Sequence, residues 1–195
     1  MKIAVINTKG GVGKTTLSLL LAEDLRRRRG SVEVWDADMQ GSASDWSAGA
    51  EDTGDSLKFR VVPVNLSSLR RKDATTDHVV IDTPPGNPSV IDAAAERADF
   101  VIVPTDTSLM DLKRAAATLG ALSVPAAILF YASNKRTQLY EAASAWMRAE
   151  GVSSFDTVVP PREDAKKIVD TGLGHEDLFS VPAVADELFA AMGER

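Results

Sequence analysis

Residues 2–30 read KIAVINTKGGVGKTTLSLLLAEDLRRRRG, and this stretch decides the fold. An apolar run, a glycine-rich turn, a Lys-Thr pair and a helical pattern follow one another without a gap. The phosphate-cradling signature is G-x-x-x-x-G-K-[ST]. Gly13-Lys14-Thr15 closes it here, but Thr8 stands where the first glycine belongs, and Lys9 adds a second cation. Gly10, Gly11 and Gly13 open backbone conformations closed to residues with a Cβ, so successive N–H groups can turn inward on an anion. The helix that begins near Lys14 brings the positive end of its dipole to the same place. Lys14 is then placed for the β- and γ-phosphates of a nucleotide and the Thr15 hydroxyl for Mg2+. Val12 and Thr16 complete the loop. A glycine-rich turn with no ligand would not need strand, glycines, Lys-Thr and helix in this register.

The alternation continues along the chain. Strands are expected at Lys2–Asn7, Val32–Asp36, Phe59–Val64, His78–Asp82, Phe100–Pro104, Ala126–Tyr131 and Thr157–Val159. Several are nearly continuous apolar runs of the kind covered on both faces. Helices are expected at Lys14–Arg29, Ser89–Ala98, Ser108–Leu122, Arg136–Glu150, Arg162–Thr171 and Pro182–Met192. In the third of these, Leu109, Leu112, Ala116 and Leu119 fall at helical spacing and predict one buried stripe. Gly30 and Gly151 read as left-handed helix stops, and the polar stretch Gly49–Ser56 as a mobile surface loop. Such alternation implies right-handed crossovers and a doubly wound α/β fold, its mostly parallel sheet carrying helices on both faces. With no repeat, low-complexity tract or long linker, residues 1–195 read as one domain.

Composition narrows the function by exclusion. The 195 residues are 44% hydrophobic and 26% charged, enough for one proper core. No apolar run approaches the ~20 residues that cross a bilayer. The chain enters its first strand at Lys2, so no signal peptide is expected. The absence of cysteine removes disulfides, thiolate zinc sites and cysteine-held iron–sulfur clusters, and suits a reducing cytosol. A net charge of −6 does not advertise nucleic-acid binding by the molecule as a whole. His78 and His175 lack companions at metal spacing and read as a strand-start and a loop residue. Trp35, Trp46 and Trp146 are scattered over different elements and read as packing residues.

Two acidic loops follow strands. In VEVWDADMQGSASDW (32–46), Asp36 and Asp38 sit at the carboxyl end of a strand, the edge where open α/β sheets bind ligands. Alone, two such aspartates are ordinarily caps or turn formers. In HVVIDTPPG (78–86), Asp82 ends an apolar strand, and Thr83-Pro84-Pro85-Gly86 forms a rigid turn.

The stretch KGGVGKTT resembles the deviant Walker A motif of the ParA/MinD class of P-loop ATPases. The resemblance spans nearly the whole chain and is nearest to the small ParA-type partition ATPases. It implies that ATP and Mg2+ are the cofactors and that Lys9 reaches the phosphates held by the other subunit of a nucleotide-bridged homodimer. Lys9, Lys14 and Asp38 are the catalytic residues it implies, Asp38 orienting the attacking water; Met39 replaces the usual proline of that loop. Asp82 looks like the Walker B aspartate, and Thr15, Asp38 and Asp82 are the implied oxygen groups around Mg2+. The turn after Asp82 leaves the Gly86 amide as a candidate γ-phosphate sensor. FYASNKR (130–136) places Asn134 where relatives contact adenine, and VVPPRED (158–164) places Pro160 in the loop beside the base.

The same resemblance implies an ATP-bound dimer on non-specific double-stranded DNA, released when a small centromere-binding adaptor stimulates slow hydrolysis, and hence a cytoplasmic, nucleoid-associated protein. Lys135, Arg136, Arg162, Lys166 and Lys167 are the candidate DNA contacts. Arg26–Arg29 close a helix, where cations complement the dipole, and Arg70, Arg71 and Lys72 stay ambiguous. The tail VADELFAAMGER is a poor match to the basic membrane helix of MinD-like proteins, so no membrane partner is expected. Two other functions share the loop: positioning of a non-DNA cargo, and carboxylate-activating ligases, which as a rule lack the early lysine.

Overall fold

The apolar runs become parallel strands because both of their faces are covered. The computed structural model describes residues 1–161, 167–174 and 177–193. In chain order the elements are β1 (Lys2–Val5), α1 (Lys14–Arg28), β2 (Val32–Asp36), α2 (Ser42–Asp52), β3 (Arg60–Pro63), α3 (Leu66–Arg71) and β4 (His78–Asp82). There follow α4 (Pro88–Arg97), β5 (Phe100–Thr105), α5 (Leu109–Gly120), β6 (Ala126–Phe130), α6 (Gln138–Ala149) and α7 (Val181–Ala191). The strands form one parallel sheet in the order β3-β2-β4-β1-β5-β6. Successive residues of β1 and Ile6 just beyond it feed opposite cores: Ile3 and Val5 pack with α1, α2 and α7, Ala4 and Ile6 with α3 to α6. The sheet is therefore doubly wound, and the chain leaving β1, which lies between β4 and β5, emerges where strand order reverses. That is the ligand edge of such folds.

The four arginines 26–29 are spoken for by acids that α1 itself buries. Glu23 and Asp24 are all but inaccessible. Arg26 and Arg27 pair with Glu23, Arg28 with Asp24 and Asp186, and Arg29 with Asp186 while lying 4.0 Å over the Phe189 ring. This run fastens α7 to α1 and is not a free basic patch.

Several sequence expectations are corrected. The strand at Thr157–Val159 reduces to isolated bridges, Ile128 with Ser154 and Tyr131 with Val159. The Glu187 carboxylate on α7 accepts the N–H groups of Asp156 and Thr157, each at 2.7 Å, and so takes from the β6 ladder the Thr157 donor that lies between those of Phe155 and Val159. Gly49–Ser56 is not a mobile loop over its first half: α2 runs to Asp52 with Trp46 and Ala50 buried. Its end is tied down by the Gly172 N–H donating to the Asp55 carboxylate at 2.8 Å. Leu109 leaves the predicted stripe and is exposed, because α5 starts there; Leu112 and Ala115 are the buried pair, with Ala116 and Leu119 partly covered. Of the helix expected over 162–171, residues 162–166 lie outside the described residues, and 167–171 form turns with Asp170 left-handed (φ 61°). His175 also lies outside them. The three tryptophans do pack into the two cores, and no described helix is long and apolar enough to cross a membrane.

Candidate functional site

Asn7 sets the loop up. Its side chain is buried at the end of the first apolar run, where its amide donates to the Pro104 carbonyl (2.7 Å) and its oxygen accepts the Lys9 N–H (2.8 Å). The chain then turns through Gly11 (φ 73°) and Gly13 (φ 81°) into α1. Gly13 is doubly obligatory, since a Cβ there would also stand 2.3 Å from Cε1 of Tyr131. Gly10, Gly11, Gly13, Lys14, Thr15 and Thr16 line a cavity of about 690 Å3, and Asp38, Gln40 and Pro85 wall its far side. Val12 lies on the opposite flank of the loop, in a cavity of about 310 Å3 shared with Lys9, Asp106 and Tyr131.

The floor of the larger cavity is ionic. Lys14 is buried, and its ammonium donates to the Lys9 carbonyl at 3.1 Å. Burial pulls the Lys14 ammonium below the ordinary lysine range, while the charges of Asp82 and Asp38 hold it up. Asp82 is fully buried and accepts hydrogen bonds from the Thr15 hydroxyl (2.7 Å) and the Ser18 hydroxyl (3.1 Å). Burial, reinforced by the neighbouring Asp36, pushes its carboxyl up to about 7, against the opposing pull of Thr15, Ser18 and Lys14. Asp36 itself is spent locally, accepting from the Ser44 N–H and hydroxyl at the start of α2. Asp38 stays half-exposed and accepts the Gln40 N–H at 2.9 Å.

This arrangement fits Mg2+ bound with a nucleotide. A buried carboxylate that is costly to ionise, joined to a hydroxyl at the loop's end, is an oxygen pair that a hard cation compensates. No group of three or more His, Asp or Glu side chains forms a metal site among the described residues. Phosphate oxygens and water would complete the shell, as Mg2+ prefers.

Lys9 goes elsewhere. Its ammonium pairs with Asp106 (3.0 Å) and Asp111 (2.8 Å), where β5 leads into α5. Asp111 first, then Asp106, hold it above the ordinary lysine range. Neither aspartate has a local sequence signal; both lie about a hundred residues downstream and reach the loop only because β5 pairs with β1.

Asn134 and Pro160 line neither cavity. Asn134 is exposed, its amide oxygen accepting the Arg136 N–H, and Pro160 follows Val159, whose carbonyl accepts from Ser133. Among the DNA candidates, Lys135 donates to the Asp156 carbonyl and Arg136 and Lys167 are exposed. Arg162 and Lys166 lie outside the described residues.

A parallel sheet, a glycine loop on a helix N-terminus and an acid at the end of β4 are the makings of a P-loop nucleotide site. Residues 3–175 match the model of the CobQ/CobB/MinD/ParA nucleotide binding domain. The chain belongs to that family. It is 34% identical over 165 residues, 80% of this chain and 75% of the relative, to maintenance of carboxysome distribution protein A of Gloeobacter kilaueensis. It is 31% identical to the chromosome-partitioning ATPase Soj of Thermus thermophilus, covering 82% of this chain and 80% of Soj. The solved ATP complex of Cyanothece McdA(D38A) superimposes with a TM-score of 0.72 over 100% of this chain and 96% of that one; at 17% identity it shares the fold. This ParA/MinD-like ATPase domain thus has relatives named for carboxysome distribution and for chromosome partitioning.

Proposed function

We propose that the protein is an ATP-driven positioning switch. Mg·ATP held by residues 9–16 closes two copies face to face, and Lys9 of each serves the other's triphosphate. The observation that carries this reading is the place of Lys9. Its ammonium is absent from the lining of its own phosphate cavity, where Lys14 stands, and pairs with two carboxylates beside the loop. A cation so held exchanges its partners only for a denser anion. The γ-phosphate of ATP supplies that charge and ADP supplies less, which ties dimerisation to the triphosphate. Delivered from the partner copy, the ammonium acts on phosphoryl charge as an arginine finger does. Lys14 binds the phosphates, Thr15 and Asp82 hold Mg2+, and Asp38 orients the attacking water beside it.

Exposed apolar side chains support closure on that edge. The large ones among the described residues are Met39, Leu109, Met110, Leu139 and Val169. The first four follow the carboxyl ends of β2, β5 and β6, and Val169 lines the phosphate cavity. Met39 and Met110 are 93% and 65% exposed. Met110→Glu is expected to weaken the ATP-dependent dimer by about tenfold, as a charge placed in an apolar contact does, with nucleotide affinity of the monomer unchanged; analytical ultracentrifugation checks it.

For the cargo, the similarity to two carboxysome-distribution proteins supports a non-DNA assembly, reached through a small adaptor while the dimer holds non-specific double-stranded DNA in the cytoplasm. Partition of plasmid or chromosomal DNA, with the adaptor on a centromere, is the second reading and rests on the similarity to Soj. The test is sizing and DNA retention with ATP, ADP or no nucleotide, on wild type and Lys9→Ala. Wild type with ATP is expected to run as a dimer and be retained on DNA at low salt, Lys9→Ala to bind ATP yet stay monomeric. A Lys9→Ala protein that dimerises and hydrolyses ATP as wild type does would overturn the reading, and phosphate release requiring a small carboxylate would replace it with a ligase.

A further inference from the structure

Tyr131 touches the loop from a side that none of the roles above uses. It follows β6 directly, its N–H donating to the Thr105 carbonyl at 2.9 Å. Its ring lies against the α-carbon of Gly13. A Cβ built there would stand 2.3 Å from Cε1, 2.8 Å from Cδ1 and 3.1 Å from Cζ. Gly13 is the hinge of the loop: it is left-handed, it precedes the first turn of α1, and its carbonyl accepts the Leu17 N–H. On the far side of Tyr131 the backbone turns at once through Ala132, left-handed at φ 52°, a region where a residue with a Cβ is strained. That turn leads into Ser133 and Asn134, and Ser133 is pinned by its N–H to the Val159 carbonyl. One aromatic ring therefore meets the phosphate loop at its left-handed glycine, while the same residue's backbone runs directly into the strained Ala132 and the turn that follows.

The chemistry of the ring suits a brace more than a ligand. Burial alone raises its phenol, to about 12, so it stays neutral. Its place is the smaller cavity, away from Lys14, Thr15 and Thr16. Bulk against a glycine fixes backbone where a smaller side chain would leave it free, since interiors are close-packed and a void on one side of a loop forfeits its contacts there.

We infer that Tyr131 is a positioning residue: its ring holds Gly13, and with it residues 9–16, in the anion-cradling shape before nucleotide arrives, and couples that loop to the turn carrying Asn134. The inference rests on the reading of the loop as a nucleotide cradle. Pre-organisation of this kind acts on affinity by removing an ordering cost at binding.

Hydrogen–deuterium exchange of the nucleotide-free protein and calorimetric titration with Mg·ATP test it on wild type, Tyr131→Phe, Tyr131→Leu and Tyr131→Ala. Tyr131→Phe keeps the ring and is expected to match wild type in both measurements within about twofold. Tyr131→Ala is expected to exchange faster at residues 9–16 while the strands stay protected, and to bind ATP at least tenfold more weakly. Tyr131→Leu retains part of the buried volume and carries the test if the alanine variant fails to fold; it should show the same local effect. Unchanged exchange at 9–16 in the alanine and leucine variants would overturn the brace. So would a phenylalanine variant as weak as alanine, which would make the hydroxyl a ligand contact. Wild type that binds no ATP would instead sink the nucleotide reading, and the exchange data would still judge the brace.

Discussion

Replacing Lys14 by alanine is expected to weaken Mg·ATP binding by about 100-fold while the chain stays folded. Lys14 is the one cation that both lines the phosphate cavity and is buried at its floor among the described residues. Burial has already stripped much of its hydration, so its charge is concentrated on whatever anion enters, and little reorganisation is left to be done at binding. Loss of about two charge-assisted hydrogen bonds, each worth ~1.5–3 kcal/mol, gives at least about 3 kcal/mol, or a hundredfold in affinity. Among the described residues its side chain makes one hydrogen bond, to the Lys9 carbonyl, and it belongs to neither hydrophobic core, so truncation leaves the cores intact. Isothermal titration with far-ultraviolet circular dichroism as the folding control measures this. An affinity within tenfold of wild type would take Lys14 out of the cradle. Arginine should not rescue, because a planar fork replaces a compact point charge in a closed space.

What the sequence disclosed and what it withheld divide along contact range. Gly13-Lys14-Thr15 works within one turn of chain, so the motif alone places it. Asp82 was legible because an apolar run ending in an acid marks a buried strand's carboxyl end, and β4 does lie beside β1 with Asp82 against Thr15. The partners of Lys9 were not legible, since Asp106 and Asp111 acquire their role from the pairing of β5 with β1. Tyr131 reads as one more apolar strand residue until its ring is seen on Gly13. The missing seventh strand has the same cause in reverse: nothing around Thr157 says that a glutamate thirty residues on will take its backbone donors. In α2, the polar stretch from Gly49 that reads as a loop is overruled by Trp46 and Ala50, which are buried in the core, Trp46 also donating to the Thr171 carbonyl at 2.9 Å. Local pattern fixes elements and loops; tertiary capture of side chains and donors decides the remainder.

The second large effect concerns Asp82, where function and stability should pull apart. Its carboxyl is held at about 7 in the folded chain, against the 3.8 of a free aspartate. Between those two values the folded chain keeps a proton that the unfolded chain has released. Raising the pH through that window therefore favours unfolding, and above about 7 both states are ionised and the loss is complete. At ~1.4 kcal/mol per pH unit the full span is about 4 kcal/mol, an upper bound for a group that reorganises on ionising. Asp82→Asn removes the titration and retains an oxygen and a donor for the hydroxyls of Thr15 and Ser18. The variant, free of metal and nucleotide, is expected to be about 2–4 kcal/mol more stable than wild type at pH 8 and equal to it or weaker near pH 4. Glu23 titrates the other way, because its bonds to Arg26 and Arg27 more than offset its burial. The quantity to follow is thus the difference between the two proteins in urea unfolding with a chelator present. With Mg·ATP the order should reverse, since a dication favours the ionised carboxylate, and the asparagine variant should lose hydrolysis. A wild type that outlasts the variant at pH 8 in the chelator would mean that Asp82 is already compensated by Lys14, and that no cation is needed to steady it.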